Sequence, residues 1–91
     1  MKNDMMLSIL VCDDDKYFFE ILRDCLCKNM YFNKSDFLYS GNKEDMLKTY
    51  RKVKPDLVFM DIEVGEDIGF DIIRELLKEG YSPQVVYITN Y

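Results

Sequence analysis

Four short apolar runs separated by amphipathic stretches organise the chain. Leu7 to Cys12 (LSILVC) is apolar except for Ser8, the pattern of a strand buried on both faces. From Lys16, apolar residues at Phe18, Ile21, Leu22, Cys25 and Leu26 form a helical stripe that should end near Asn29. Asp36 to Gly41 (DFLYSG) reads as a second strand closed by a glycine. Asn42 is placed to cap a helix carrying Met46, Leu47 and Tyr50 on one face. Pro55 ends that helix, because its ring disfavours helical backbone at Lys54. Asp56 to Asp61 (DLVFMD) is a third strand, apolar on both faces until its last residue. Ile62 to Gly69 (IEVGEDIG) reads as a loop with two glycines. A helix follows with Phe70, Ile73, Leu76 and Leu77 in register and Gly80 as its stop. Gln84 to Thr89 (QVVYIT) is a fourth strand.

This βαβαβαβ alternation, with strands apolar on both faces, predicts an α/β fold. Its sheet should be parallel and doubly wound, with right-handed crossovers and helices on both sides. No repeat, low-complexity tract or linker interrupts the pattern, so a single domain is expected. A chain of 91 residues with 48% apolar residues can bury a real core.

Charge and rare residues narrow the chemistry. Twelve basic against 17 acidic residues leave a net charge of -5, which argues against this segment gripping a nucleic-acid backbone. The 3 cysteines form neither a disulfide framework nor a zinc cluster, and a reducing cytoplasm suits them. On one helix, Cys25 and Cys27 would point to nearly opposite faces, while Cys12 should pack as a small hydrophobe. No run approaches the roughly 18 apolar residues of a membrane span, and MKNDMM has no signal-peptide character, reading only as a frayed start. The chain has 0 histidines, which removes most catalytic triads and zinc sites and any phosphohistidine carrier role.

The first apolar run stops at Asp13, Asp14 and Asp15. In a doubly wound sheet, function gathers at the carboxyl ends of the strands. The first strand delivers Asp13 and Asp14 there, the third delivers Asp61, and the fourth delivers Thr89. Close carboxylates repel by roughly 4 kcal/mol per pair at intermediate dielectric. Raised pKa values or a bound cation would relieve them, and hard oxygen ligands in a shallow cleft suit Mg²⁺. Each residue also has a plainer reading. Asp15 can be a helix N-cap with its neighbours favoured by the helix dipole, Asp61 can be a turn residue, and Thr89 alone says little. Their joint placement at adjacent strand ends is what singles them out.

With these residues in view, the chain resembles the receiver domain of two-component response regulators, a flavodoxin-like fold of strand order 2-1-3-4-5. The resemblance rests on ILVCDDD, on DLVFMDIEVGEDIGFDIIREL and on VVYITNY, with Gly69 eight positions after Asp61 where the family places a glycine. It covers essentially the whole chain. The first and fourth strand motifs look closer to regulators carrying LytTR-type DNA-binding domains. The resemblance implies that Asp61 is the phosphoacceptor, attacking a phosphohistidine on a sensor histidine kinase. It implies that Asp13, Asp14 and Asp61 hold Mg²⁺ with the backbone carbonyl of Glu63, and that Thr89 contacts the phosphoryl group after transfer and biases a two-state switch. Transfer would run in line, driven by positioning and charge neutralisation.

Two departures from the family stand out. Gly65 occupies the place of its usual proline, which predicts a looser loop. The family also continues with a fourth helix, a fifth strand bearing a functional lysine, and a fifth helix. Residues 1–91 therefore read as an incomplete receiver with order 2-1-3-4, in which Mg²⁺ binding should survive and switching weaken. The fourth strand would then be a sheet edge, predicting a homodimer or swapped assembly through it. Any DNA-binding output would lie in a longer parent protein.

Tyr17, Phe18 and Phe19 in a row require one aromatic to face outward, which a kinase surface could use, although partial burial is the simpler reading. KEDMLKTYRKVK has five Lys or Arg but lies on an amphipathic helix, so a solvated face is expected. Two other functions share the pattern. One is a Mg²⁺-dependent phosphatase-like hydrolase with an aspartate nucleophile and Glu63 displaced into the acid/base position. The other is a non-phosphorylated pseudo-receiver serving as an interaction module. A flavin or nucleotide site lacks its glycine-rich loop after the first strand.

Overall fold

The computed structural model describes residues 7–28 and 32–89. A four-stranded parallel sheet runs in the order β2-β1-β3-β6. Its strands are β1 (Ile9–Cys12), β2 (Phe37–Ser40), β3 (Leu57–Asp61) and β6 (Val85–Ile88). Counting these strands alone, the order is the expected 2-1-3-4. Three helices connect them: α1 (Lys16–Leu26), α2 (Lys43–Val53) and α3 (Gly69–Lys78). A short 3₁₀ turn, Lys34–Asp36, leads into β2.

β1 lies between β2 and β3, with Ile9 level with both Phe37 and Leu57. Side chains alternate across a strand, so β1 feeds two cores. Leu10 and Cys12 join Val58, Met60, Met46, Tyr50, Ile72 and Leu76 on the α2/α3 side. Ile9 and Val11 join Phe19 and Phe37 on the α1 side. All four β1 residues are 0% exposed, which is why their sequence runs apolar without alternation.

The helix ends follow local chemistry. Asp15 caps α1 by accepting from the Tyr17 and Phe18 N–H groups at 3.0 and 3.3 Å. Asn42 caps α2, accepting from the Asp45 N–H at 2.8 Å. Before Pro55, Lys54 turns to φ 51° and donates its N–H to the Tyr50 carbonyl. Gly80, at φ 94°, closes α3 in a Schellman arrangement. There the Gly80 and Tyr81 N–H groups reach the Leu77 and Leu76 carbonyls at 3.0 and 3.1 Å.

Four expectations need correction. In α1 the buried aromatic is Phe19, tilted against Tyr39 with ring centroids 5.0 Å apart, while Phe18 is only partly covered and Ile21 is half exposed. The helix starts at its Asp15 cap and its phase turns Phe19, Leu22 and Leu26 toward β1 and β2. It ends at Leu26, and Asn29 lies outside the described residues, as does MKNDMM. In α3 the buried face is Ile72, Ile73 and Leu76, whereas Phe70 and Leu77 are half exposed. Phe70 instead meets Tyr87 of β6 edge to face, with ring centroids 4.5 Å apart.

The stretch read as a loop is a hairpin, β4 (Glu63–Val64) with β5 (Asp67–Ile68), antiparallel. Two central residues join the strands, Gly65 at φ 61° and Glu66 without positive φ, the pattern of a type II′ turn that matches strand twist. Finally, β6 is shorter than Gln84 to Thr89.

Among the described residues β6 is the last strand of the sheet, with Val86 43% and Tyr87 37% exposed. The basic face of α2 is solvated, and Arg51 pairs with Glu79 while Lys43 pairs with Glu75. Cys12 is buried, Cys25 exposed and Cys27 partly covered. Among the described residues no helix is long and apolar enough to cross a membrane.

Candidate functional site

The carboxyl ends of the two central strands meet in one acidic cluster. Asp61 is the last residue of β3, 4% exposed, and Asp13 follows β1 directly, 0% exposed. Asp13 extends the ladder one step, donating its N–H to the Ser40 carbonyl at 3.1 Å. Asp14, next in the chain, is exposed. One carboxylate oxygen from each of Asp13, Asp14 and Asp61 lies within 4.8 Å of the others.

The same local geometry pins two of these groups. Asp13 Oδ1 accepts from the Asp15 N–H at 2.8 Å, and Asp61 Oδ1 accepts from the Glu63 N–H at 3.2 Å. Each bond reaches two residues along the chain, as in an Asx turn. Asp14 is held from elsewhere: its Oδ2 accepts from the Gly65 N–H at 3.2 Å, 51 residues on. Asp13 Oδ2 is fully buried and has no hydrogen-bond partner among the described residues.

Burial and crowding both oppose ionisation here. The Asp13 carboxyl is pushed up to about 6, chiefly by burial, with Asp61 and Asp14 adding to it and the Asp15 N–H opposing. Asp61 is also raised, first by burial, then held back by the Glu63 N–H, with Asp14 raising it further. Beneath them, burial and the Asp13 and Asp61 charges push the Cys12 thiol up to about 12, so it stays a packed, neutral group.

The donor set fits a hard divalent cation. All three groups offer carboxylate oxygens, the cleft reaches solvent through Asp14, and the orphaned Asp13 oxygen is a buried acceptor that a cation would satisfy. A cation would also offset the burial, and the lesser repulsion, that raise Asp13 and Asp61.

Gly69 sets how closely α3 approaches this end of β3. Its N–H donates to the Ile62 carbonyl at 2.7 Å. A Cβ at this position would collide with the Asp61 carbonyl and sit 2.8 Å from Met60 Cγ.

The structure therefore brings together Asp13, Asp14 and Asp61. Glu63 begins β4 with its side chain exposed, and its N–H is the group engaged with Asp61. Thr89 lies one residue beyond β6, exposed, on the strand beside β3, where Asp61 stands level with Ile88. Sequence reading missed the Gly65 N–H on Asp14, because nothing local connects residues so far apart in the chain. The two Asx-type bonds did have a signal, an aspartate two residues before a free N–H at a strand-to-loop junction.

The fold is a parallel doubly wound sheet with three carboxylates gathered at the ends of its central strands. The chain belongs to the response regulator receiver domain family, whose family model matches residues 9–91. It is a receiver domain of the two-component signalling type. It is similar to the sensory transduction protein LytT of Bacillus anthracis, 36% identical over 89 residues, covering 94% of this chain and 34% of that protein. It is also similar to the chemotaxis protein CheY of Thermotoga maritima, 31% identical over 78 residues, covering 86% of this chain and 62% of that one. Among solved structures, the MaeR response regulator bound to beryllium trifluoride superposes with a TM-score of 0.82 at 27% identity, covering 94% of this chain and 69% of that one. The chain thus spans about a third of the length of the LytT relative.

Proposed function

We propose that Asp61 accepts a phosphoryl group from a phosphohistidine of a sensor histidine kinase. The observation that carries this is the placement of Asp61 at the end of β3 with Asp13 and Asp14 oxygens within 4.8 Å. An Asp61 carboxylate oxygen attacks phosphorus in line. The P–N bond to the kinase imidazole breaks, its electron pair stays on the ring nitrogen, and that nitrogen takes up a proton. The Glu63 N–H holds the other face of the Asp61 carboxylate and fixes its direction of attack.

Mg²⁺ is the cation this reading assigns to Asp13, Asp14, Asp61 and the Glu63 carbonyl, and when bound it neutralises charge on the phosphoryl oxygens. Asp13 contributes its unpaired oxygen, and Asp14 contributes from the solvent side. Thr89, at the neighbouring strand end, is assigned to contact the phosphoryl group after transfer and to couple it to the loop beyond β6. Residues 1–91 act as one receiver unit, a signalling domain without turnover chemistry, in the cytoplasm.

The likeness to LytT supports a longer parent protein with a DNA-binding output. The acidic balance of this segment, net -5, keeps nucleic acid off the receiver itself. Self-association through β6 is a further part of this reading, supported by the exposure of Val86 and Tyr87 on an edge strand. Light scattering should show a dimer that Val86→Lys disrupts, and a monomer at all concentrations would remove this part.

Intact mass after incubation with acetyl phosphate tests the central claim. One phosphoryl adduct that needs Mg²⁺ and disappears in Asp61→Asn is the expected result. No adduct on a folded sample would leave the domain as an interaction module. Steady turnover of a generic phosphate ester would instead make it a hydrolase.

A further inference from the structure

Asp13 and Asp61 are fixed by their own strands, each buried and each pinned by an N–H two residues on. Asp14 is different. It is exposed, so its side chain would be free to sample rotamers, and the bond that orients it comes from the tip of the β4–β5 hairpin. Resting on the cation-binding reading above, we propose that Gly65 is a positioning residue for the cation site, its N–H holding the Asp14 carboxylate in place for the metal.

Three features make Gly65 suited to this. Its φ of 61° is open to glycine and closed to proline, whose ring fixes φ near -65°. Proline would also lack the N–H that Asp14 accepts. The turn is otherwise roomy, because a Cβ added at Gly65 would meet nothing within 4 Å. The glycine is therefore required by backbone conformation rather than by space.

The bond uses one of the roughly four lone pairs of a carboxylate, leaving the rest for a cation or its water. Holding Asp14 beforehand reduces the conformational freedom lost when the metal binds. The coupling is reciprocal. A hairpin with two residues per strand is marginal alone, and this one is anchored in the core through Val64, 2% exposed. A metal that fixes Asp14 should therefore also steady the hairpin tip at Gly65.

The test is a Mg²⁺ titration followed by calorimetry and by the ¹⁵N–¹H resonance of Gly65. In wild-type protein the Gly65 amide should move with the same apparent Kd that calorimetry gives. Without metal, Asp14→Ala should shift that amide upfield as its acceptor disappears. Gly65→Pro should weaken Mg²⁺ about fivefold, the loss of one modest hydrogen bond. Gly65→Ala keeps the N–H and should recover most of that affinity, although its strained φ lowers the melting temperature. A purely structural role would instead make affinity track melting temperature in both variants and leave the metal-free Gly65 amide unmoved by Asp14→Ala. Equal affinity in Gly65→Pro and wild type would overturn the proposal, as would a Gly65 amide indifferent to Asp14→Ala. The amide comparison needs only wild type and a substitution at an exposed residue, so it decides the matter even if Gly65→Pro does not fold. Absence of any Mg²⁺ binding by the wild type would overturn the cation-binding reading as well. Normal binding with no effect of Gly65 would overturn this inference alone.

Discussion

β1 and β6 are both four-residue parallel strands of apolar sequence in the same sheet, yet they live in different surroundings. β1 has a strand on each side and a helix layer over each face, and none of its residues is exposed. Among the described residues β6 has one neighbour, β3, and Val86 and Tyr87 are exposed. The ends differ in the same way. β1 and β3 finish in carboxylates that burial pushes toward neutrality, whereas β6 finishes in an exposed threonine. An apolar run tells how a strand is built to pack, while its position in the sheet decides how much water it loses. The acidic cluster takes its electrostatics from the buried pair of strands and its access to solvent from the exposed Asp14.

The contrast breaks most easily at the two strands themselves. Leu10→Ala in β1 should destabilise the domain by about 3 kcal/mol, through lost burial plus the cavity left behind. Val86→Ala in β6 should cost less than about 1 kcal/mol, since much of that side chain is already wet. Urea unfolding of both variants measures the difference, and equal losses would mean that another surface covers β6 in solution.

The cluster supplies the next largest effect, and it depends on pH. The folded state raises the Asp13 carboxyl from its ordinary 3.8 to about 6, so it binds that proton more tightly than the unfolded chain does. Below pH 4 both states hold the proton and nothing is lost. Between pH 4 and 6 stability should fall as pH rises, by roughly 2–3 kcal/mol in total, and then level off. Asp13→Asn should flatten this fall and make the metal-free domain more stable than wild type at pH 7.5. Saturating Mg²⁺ should flatten it in wild type too. Melting temperatures from pH 4 to 8 would check both, and an unchanged slope in Asp13→Asn would place the titration elsewhere.

Gly69→Ala sharpens the comparison at the junction of β3 and α3. Its Cβ would meet the Asp61 carbonyl, so α3 must shift outward, costing about 2 kcal/mol. Phosphorylation by acetyl phosphate should slow as Asp61 is displaced. A variant with normal stability and normal labelling would show that the junction is softer than its geometry indicates.

Much of this was readable in the chain because it rests on local chemistry. The apolar runs bounded by polar residues marked the four strands of the main sheet. Asp15, Asn42 and Gly80 marked helix ends through bonds to groups a few residues away. Asp13, Asp14 and Asp61 were legible because a parallel sheet brings the carboxyl ends of neighbouring strands together. The helix phases were less legible. In α1 three aromatics in a row fit several stripes, and only packing on Tyr39 chose Phe19. In α3 the close approach at Gly69 turned Phe70 toward the edge and Ile72 inward.

The amino-acid sequence by itself determined the order of the main-sheet strands and the helices between them, the helix caps and which acidic residues stand at strand ends, since each follows from periodicity or from bonds spanning a few residues. The tertiary structure alone decided which helix faces are buried and that Gly65 holds Asp14. Those outcomes depend on surfaces and N–H groups that meet only when distant segments pack, and no local pattern encodes a bond across 51 residues.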